Sequence, residues 1–250
     1  MFYICIPSRD EDRTVGVLLW KIRQVMLELG RDYHIFVLDD GSQDGTKDLL
    51  ARYKRVLPMT ILREERPIGY RRALERLLRE APRRARYPKR DAIITMQGDF
   101  TENPEYLKAL IKTYEGGADV VAGKLEEDIV SSPRRVRLTR WMGDMALKRA
   151  YSSSPIESPL CGFRAYRAVV IKKALRAAGD RPLLTREGWA ANAELMKILA
   201  PFSRRIAEAP LGLRYDIRWR PSRVKPVSTV REILRVGKVL PLESEGVGAA

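Results

Sequence analysis

The chain has 250 residues, enough to bury one core of ordinary size, so a single domain is the default. Its 47 Lys and Arg against 32 Asp and Glu leave a net charge of +15, which implies an anionic partner: a nucleotide diphosphate, anionic lipid headgroups or nucleic acid. No run approaches the ~20 apolar residues that would span a bilayer, and two Cys with one His make neither a disulfide framework nor a zinc set.

In chain order, Phe2-Tyr3-Ile4-Cys5-Ile6 reads as an apolar strand that ends in Pro7-Ser8-Arg9-Asp10-Glu11. Val15, Leu18, Leu19, Ile22, Met26 and Leu29 then recur at helical spacing until Gly30 stops the pattern. His34-Ile35-Phe36-Val37-Leu38 is nearly continuously apolar, as a parallel strand covered on both faces is. It runs into Asp39-Asp40, a turn carrying Gly41 and Gly45, and a helix from Thr46. A polar loop with Asp44 or Thr46 as N-cap would explain that turn without any function. A weaker strand at residues 60–62 precedes a helix that begins near Gly69 and carries Ala73, Leu74, Leu77 and Leu78. The fourth strand, residues 92–96, ends in Gln97-Gly98-Asp99-Phe100-Thr101-Glu102, and the fifth, residues 119–123, ends at Lys124. Four or five strand–helix units thus deliver polar residues to one sheet edge, which predicts a doubly wound α/β fold with a ligand outside the carboxyl ends of its strands.

Asp40 ends the second strand and Asp99 the fourth. Carboxylates so placed can hold a hard divalent cation, and the cation can bridge substrate phosphates. Asp40 can equally accept from a base N–H or a ribose hydroxyl. No Gly-x-Gly-x-x-Gly follows the first strand and no P-loop sequence occurs. Phosphates would therefore be held by metal and basic side chains rather than by a glycine cradle.

Five segments, in order, resemble glycosyltransferase family 2, inverting enzymes of GT-A fold. Within that family the likeness is to dolichol- or polyprenyl-phosphate mannosyltransferases, over roughly residues 1–235. Pro7-Ser8-Arg9-Asp10-Glu11 resembles the family's Pro-x-Tyr-Asn-Glu opening. Asp39-Asp40-Gly41-Ser42-Gln43-Asp44-Gly45-Thr46 fits its Asp-Asp-Gly-Ser-x-Asp-Gly-Thr loop. Cys161-Gly162-Phe163-Arg164 resembles its Ser/Cys-Gly-Phe-Arg segment, Gly188-Trp189 with Glu194 its acceptor region, and Arg218 to Arg223 the element that closes over donor phosphates. The resemblance implies that Pro7, Arg9, Glu11, Leu38 and Asp40 hold the donor nucleoside. It puts Gln97-Gly98-Asp99 on the Asp-x-Asp motif, with Asp99, helped by Thr101, on Mg²⁺ or Mn²⁺. It assigns Arg135 and Arg223 to the donor phosphates, with Arg218, Arg220 and Ser222 beside them; a guanidinium presents a rigid fork of donors to phosphate.

Two departures stand out. Gln97 replaces the first aspartate of Asp-x-Asp, and Ser158 stands where many relatives carry an aspartate three residues before the Cys or Ser. Transfer to a sugar hydroxyl needs a general base within hydrogen-bond reach, with Glu157, Glu187 and Glu194 as candidates. Transfer to a lipid phosphate needs none, because that oxygen is already anionic near neutral pH.

The resemblance and the charge together predict a single GT-A domain over residues 1–240, with a donor-binding half at 1–123 and an acceptor-binding half with a basic amphipathic tail at 124–240; residues 241–250 are expected to be disordered. The tail's helical pattern, from Ser228 to Val236, puts Val230, Ile233 and Leu234 on one face, a face for a membrane surface or, as the alternative, for the sheet. Trp141 and Trp219 lie beside arginines, as side chains at a headgroup interface do. The expected protein is a cytoplasmic glycosyltransferase at the membrane surface, using Mn²⁺ or Mg²⁺ to move a sugar, first mannose from GDP-mannose, to a polyprenyl phosphate or lipid-linked saccharide. No nucleic acid partner is expected. A nucleotidyltransferase and a non-catalytic nucleic-acid or anionic-membrane binding protein are the alternatives.

Overall fold

The computed structural model describes residues 1–126, 132–148, 151, 156–215, 225–237 and 239. Strands β1 (Phe2–Ser8), β2 (Tyr33–Asp40), β3 (Met59–Glu64), β4 (Ala92–Thr95), β5 (Val120–Leu125), β6 (Arg164–Arg167) and β7 (Ile206–Leu211) form one sheet in the order β3-β2-β1-β4-β6-β5-β7. All neighbours are parallel except β6, which runs antiparallel to β4 and β5. The helices are α1 (Val15–Leu29), α2 (Thr46–Tyr53), α3 (Tyr70–Glu80), α4 (Leu107–Glu115), α5 (Arg134–Leu147), α6 (Ala168–Ala178), α7 (Trp189–Leu199) and α8 (Pro226–Val236).

Strand alternation divides the core in two. Tyr3, Cys5, Phe36 and Leu38 face one layer, with Leu74 and Leu77 of α3 and the apolar side of α7. Ile4, Ile6, Ile35 and Val37 face the other, with Leu18, Leu19 and Ile22 of α1 and Leu110 of α4. Each such Leu or Ile is fully buried and contributes about 1.5–3 kcal/mol. The sheet is thus covered on both faces, the doubly wound arrangement that the continuous apolar strands imply.

Two strands carry no such signal. β6 is Arg-Ala-Tyr-Arg, with arginine at both ends, and β7 holds Glu208 and Pro210. Pro210 is tolerated because β7 is the edge strand beyond β5.

The basic tail helix α8 packs on α5 and α7 through Ile233 and Val236, leaving Leu234 and Val227 exposed. Its buried face is therefore rotated from the expected Val230–Ile233–Leu234 stripe. Gly143 permits the contact: a Cβ there would stand 2.8 Å from Ile233 Cδ1 and from Leu160 Cδ1.

Asp144, in the last part of α5, has a buried Oδ1 without a hydrogen-bond partner. Burial pushes its carboxyl up to about 6, against the pull of Arg140. The folded chain therefore holds this proton more tightly than the unfolded chain, and stability falls as pH rises between about 4 and 6. Asp144→Asn is expected to flatten that slope and to raise stability at pH 7 by on the order of 1–2 kcal/mol. Urea midpoints at pH 4 and pH 7 measure both effects, and an unchanged slope in the variant would refute the assignment.

Candidate active site

The carboxyl ends of β1, β2 and β4 open onto a cavity of about 390 Å³. β1 and its loop supply Pro7, Arg9 and Glu11, β2 supplies Asp40, and the loop after β4 supplies Gln97, Gly98, Asp99 and Thr101. These eight expected residues converge from three separate parts of the chain.

The loops that carry them are laced together. Asp10, in the left-handed region at φ 51°, donates its N–H to Ser42 Oγ at 2.9 Å, and its carboxylate accepts from Gln43 N at 2.9 Å. Thr14 Oγ1 donates to Glu11 Oε2 at 2.9 Å and contacts the Gly98 carbonyl at 3.2 Å, tying the ends of β1 and β4. Gly41 sits at φ +64°, and a Cβ there would lie 2.8 Å from Pro67 N, so only glycine fits this turn.

The two aspartates that end β2 divide the work. Asp39 is buried, pairs with Arg63 and accepts from Ser42 N at 3.0 Å, so it braces the loop. Asp40 faces the cavity and accepts backbone N–H groups from Ile68 at 2.6 Å and Gly69 at 3.1 Å. Its oxygens keep further lone pairs for a base N–H or a hydroxyl.

The loop after β4 is the most acidic part of the cavity. Phe100, a non-glycine residue at φ 61°, reverses the chain there. Glu102 is thereby folded back so that its Oε2 accepts from Gln97 N at 2.7 Å. Asp99 Oδ1 accepts from Thr101 N at 3.1 Å. Burial pushes the Glu102 carboxyl up to about 8; the Gln97 N–H opposes this, and the Asp99 charge adds to it. A cation in the cavity would reverse that balance. Thr101 Oγ1 and Ser8 Oγ are buried without hydrogen-bond partners. Asp99, Thr101 and Glu102 offer oxygen donors of the type that suits a hard divalent cation.

Several expected residues lie elsewhere. Leu38 is fully buried in the core, on the same side of β2 as Asp40 but one step deeper, so its side chain does not line the cavity. Glu194 is 1% exposed and accepts from Thr185 N, Thr185 Oγ1 and Arg186 N at 2.8, 2.5 and 2.7 Å. It clamps the loop before α7 instead of reaching the cavity as a base. Glu157 is exposed, pairs with Lys124 at 2.8 Å and also lies off the cavity. Ser158 Oγ accepts from Leu125 N at 3.4 Å. Of the three candidate bases only Glu187 lines the cavity, where Arg71 pairs with it at 2.7 Å. Arg135 lies on a shallow hollow with Lys225 and Arg231; Arg140, further along α5, lines the main cavity instead and stacks over Trp189 at 5.1 Å. Arg218, Arg220, Ser222 and Arg223 lie outside the described residues.

Glu102, Arg140, Tyr70 and Lys225 were not singled out from the sequence, yet all four line the cavity. Glu102 stands within the strand-end loop, and its place past Asp99 hid a chain reversal that brings it back. Cys161 lines the cavity too, but it is 3% exposed and burial pushes its thiol up to about 12, which disfavours the thiolate form.

A mostly parallel sheet with an acidic cavity at its carboxyl edge is the plan of a GT-A glycosyltransferase, and solved structures of that plan superpose on the chain. Glucosyl-3-phosphoglycerate synthase from Mycobacterium tuberculosis, crystallised with Mn²⁺, uridine diphosphate and phosphoglyceric acid, gives a TM-score of 0.65 at 16% identity, over 94% of this chain and 76% of that one. The same enzyme with Mn²⁺ and UDP-glucose gives 0.64 at 17% identity, over 94% and 78%. The chain belongs to glycosyl transferase family 2, whose sequence profile matches residues 3–175. It is 28% identical over 212 residues to the undecaprenyl-phosphate 4-deoxy-4-formamido-L-arabinose transferase of Pseudomonas fluorescens, covering 84% of this chain and 56% of that protein. The enzyme of the same name from Edwardsiella ictaluri is 29% identical over 177 residues, covering 69% and 50%. The chain thus spans about half the length of the curated relatives it matches.

Proposed function

We propose that this chain is the catalytic domain of an inverting, metal-dependent glycosyltransferase that moves a sugar from a nucleotide donor to a polyprenyl phosphate at a membrane surface. The observation that carries this reading is the cavity itself. It brings Asp40 at the end of β2 together with the acidic loop of Asp99, Thr101 and Glu102 and with the cations of Arg140 and Lys225 around one space. Asp40 suits a nucleoside, and the acidic loop a metal-bound diphosphate. Family membership favours this reading over a nucleotidyltransferase or a non-catalytic binding protein.

The donor set fits a cation. Thr101 Oγ1 is an orphaned buried oxygen on the cavity wall, beside two carboxylates. No group of three or more His, Cys, Asp and Glu at ligand spacing occurs among the described residues. One or two carboxylates suffice where substrate phosphates complete the shell. Asp99 and Thr101 would hold Mn²⁺ or Mg²⁺, and the bound ion would supply neutralising charge for the departing diphosphate. Arg140 and Lys225 add fixed positive charge to the same wall, and Asp40 with Arg9 and Glu11 orients the nucleoside. The acceptor oxygen attacks the anomeric carbon as the bond to the diphosphate oxygen breaks, and the nucleoside diphosphate leaves with the electron pair. A phosphate acceptor brings its own anionic oxygen, which accords with Glu157 and Glu194 standing off the cavity.

The two relatives carry undecaprenyl phosphate in their names, which supports a polyprenyl-phosphate acceptor. They name 4-deoxy-4-formamido-L-arabinose as the sugar, so mannose from GDP-mannose has no support from them. Purified protein supplied with undecaprenyl phosphate and a panel of labelled GDP- and UDP-sugars tests the proposal. It predicts label in the lipid extract with Mn²⁺ and none with EDTA; label that never enters the lipid with any donor would refute it.

Membrane association rests on a surface. No described helix is long and apolar enough to cross a bilayer. Leu138, Trp141, Met142 and Met145 on α5 and Val227 and Leu234 on α8 are nonetheless exposed, among Arg134, Arg137, Arg231 and Arg235. Apolar anchors within basic charge suit an anionic headgroup layer. Sedimentation with phosphatidylglycerol vesicles is expected to carry the protein down, and Trp141→Glu with Met145→Glu to lower vesicle affinity by roughly tenfold or more. Equal pelleting of the double variant would dismiss this face.

A further inference from the structure

Gln97 removes a negative charge from the Asp-x-Asp position, yet the cavity is not left with a single carboxylate. We infer that Glu102 replaces the missing aspartate, so that the acidic pair facing the cation is Asp99 with Glu102. This inference rests on the metal-dependent reading above.

The loop is built to make that exchange. Phe100 in the left-handed region turns the chain back on itself, and Glu102 returns to the backbone of Gln97, where Oε2 accepts from Gln97 N at 2.7 Å. The carboxylate therefore arrives beside the residue whose own side chain lacks the charge. A second segment pins it: Glu102 bridges Leu213 in an isolated antiparallel pair, and Arg214 N donates to the Thr101 carbonyl at 2.8 Å. Glu102 is 3% exposed and lines the cavity, as Asp99 does. An independent observation points to a ligand at the same place. Thr101, between the two acids' positions, is 5% exposed, lines the cavity, and has an Oγ1 with no hydrogen-bond partner. A buried hydroxyl without a partner is uncommon, and a cation held by its neighbours would satisfy it. Two carboxylate side chains and a hydroxyl, all oxygen, form a donor set of the class that takes Mn²⁺ or Mg²⁺.

Titration of the full chain with Mn²⁺ in the presence of UDP or GDP, read by the electron paramagnetic resonance of free Mn²⁺, tests the pairing without any turnover. Glu102→Gln keeps an oxygen for the Gln97 N–H and removes only the charge. It is expected to weaken Mn²⁺ binding by at least the roughly tenfold that losing even an outer-sphere partner costs. Gln97→Asp placed in the Glu102→Gln chain restores a carboxylate at the family position and is expected to recover most of that loss. Melting curves establish that each variant is folded; if Glu102→Gln does not fold, Glu102→Asp, which keeps the charge but retracts it, is expected to bind Mn²⁺ more weakly than wild type. Wild-type affinity in Glu102→Gln, or in Glu102→Asp where that variant stands in, together with lost binding in Asp99→Asn, would overturn the pairing and leave the metal reading intact. Absence of Mn²⁺ binding by the wild-type chain with either nucleotide would overturn the metal reading and this inference with it.

Discussion

Asp99→Ala is expected to abolish Mn²⁺-dependent binding of the nucleotide donor and to lower sugar transfer by roughly 10²–10³-fold or more, the scale of losing one strong electrostatic stabiliser of a developing charge. Asp99 is 3% exposed, lines the cavity at the end of β4, and accepts from Thr101 N. Its removal takes away the proposed cation ligand and the acceptor of the Thr101 N–H. The Thr101 N–H bond that is lost is a local one worth about 1 kcal/mol. Titration calorimetry with and without Mn²⁺ separates the two effects: the metal-dependent heat disappears, while the melting temperature moves only a few degrees. Full turnover with retained Mn²⁺-dependent binding would remove Asp99 from the site.

The largest effect on stability is expected at Arg164. This residue is fully buried at the start of β6, donates to the Asn192 carbonyl at 2.6 Å and the Pro159 carbonyl at 2.5 Å, and so ties α7 and the Cys161-Gly162 loop to the sheet. Arg164→Met keeps the apolar stem and strands both carbonyls. Each buried acceptor left unmet costs about 1–3 kcal/mol, partly offset by relief of a buried charge whose Nε has no partner. A net loss of roughly 3 kcal/mol follows, and at about 2–4 °C per kcal/mol for a chain of this size the melting temperature falls by roughly 6–12 °C. Arg164 also draws down the Glu102 carboxyl, so the variant is expected to hold the cation differently as well. A melting temperature within about 2 °C of wild type would show that the two carbonyls find other partners or water.

The sequence exposes the strands whose two faces are both covered. Residues 2–6, 34–38 and 92–96 are nearly continuously apolar and become β1, β2 and β4, and their carboxyl ends and the loops that follow carry eight residues that line the cavity. It hides what depends on long-range pairing. β6 holds two arginines because Arg164 finds carbonyls on two other segments, and only the assembled sheet supplies them. Glu194 has the look of a base by type and position, yet its lone pairs are used by Thr185 and Arg186 across a short loop. Glu102 is the converse case: a positive φ at Phe100, invisible in residue type, returns it to Gln97. Arg135 and Arg140 sit on one helix, and only the packing of α5 against α8 decides which of them reaches the cavity.

The melting temperature of the chain with GDP, UDP and their sugars, each with and without Mn²⁺, tests the central claim most directly, since a ligand that binds only the folded state raises it. A rise that needs Mn²⁺ and follows one nucleotide family is the predicted result, and selectivity among its sugars would identify the donor. A chain that melts at the same temperature with every nucleotide, Mn²⁺ present or not, would contradict a nucleotide-sugar site in this cavity.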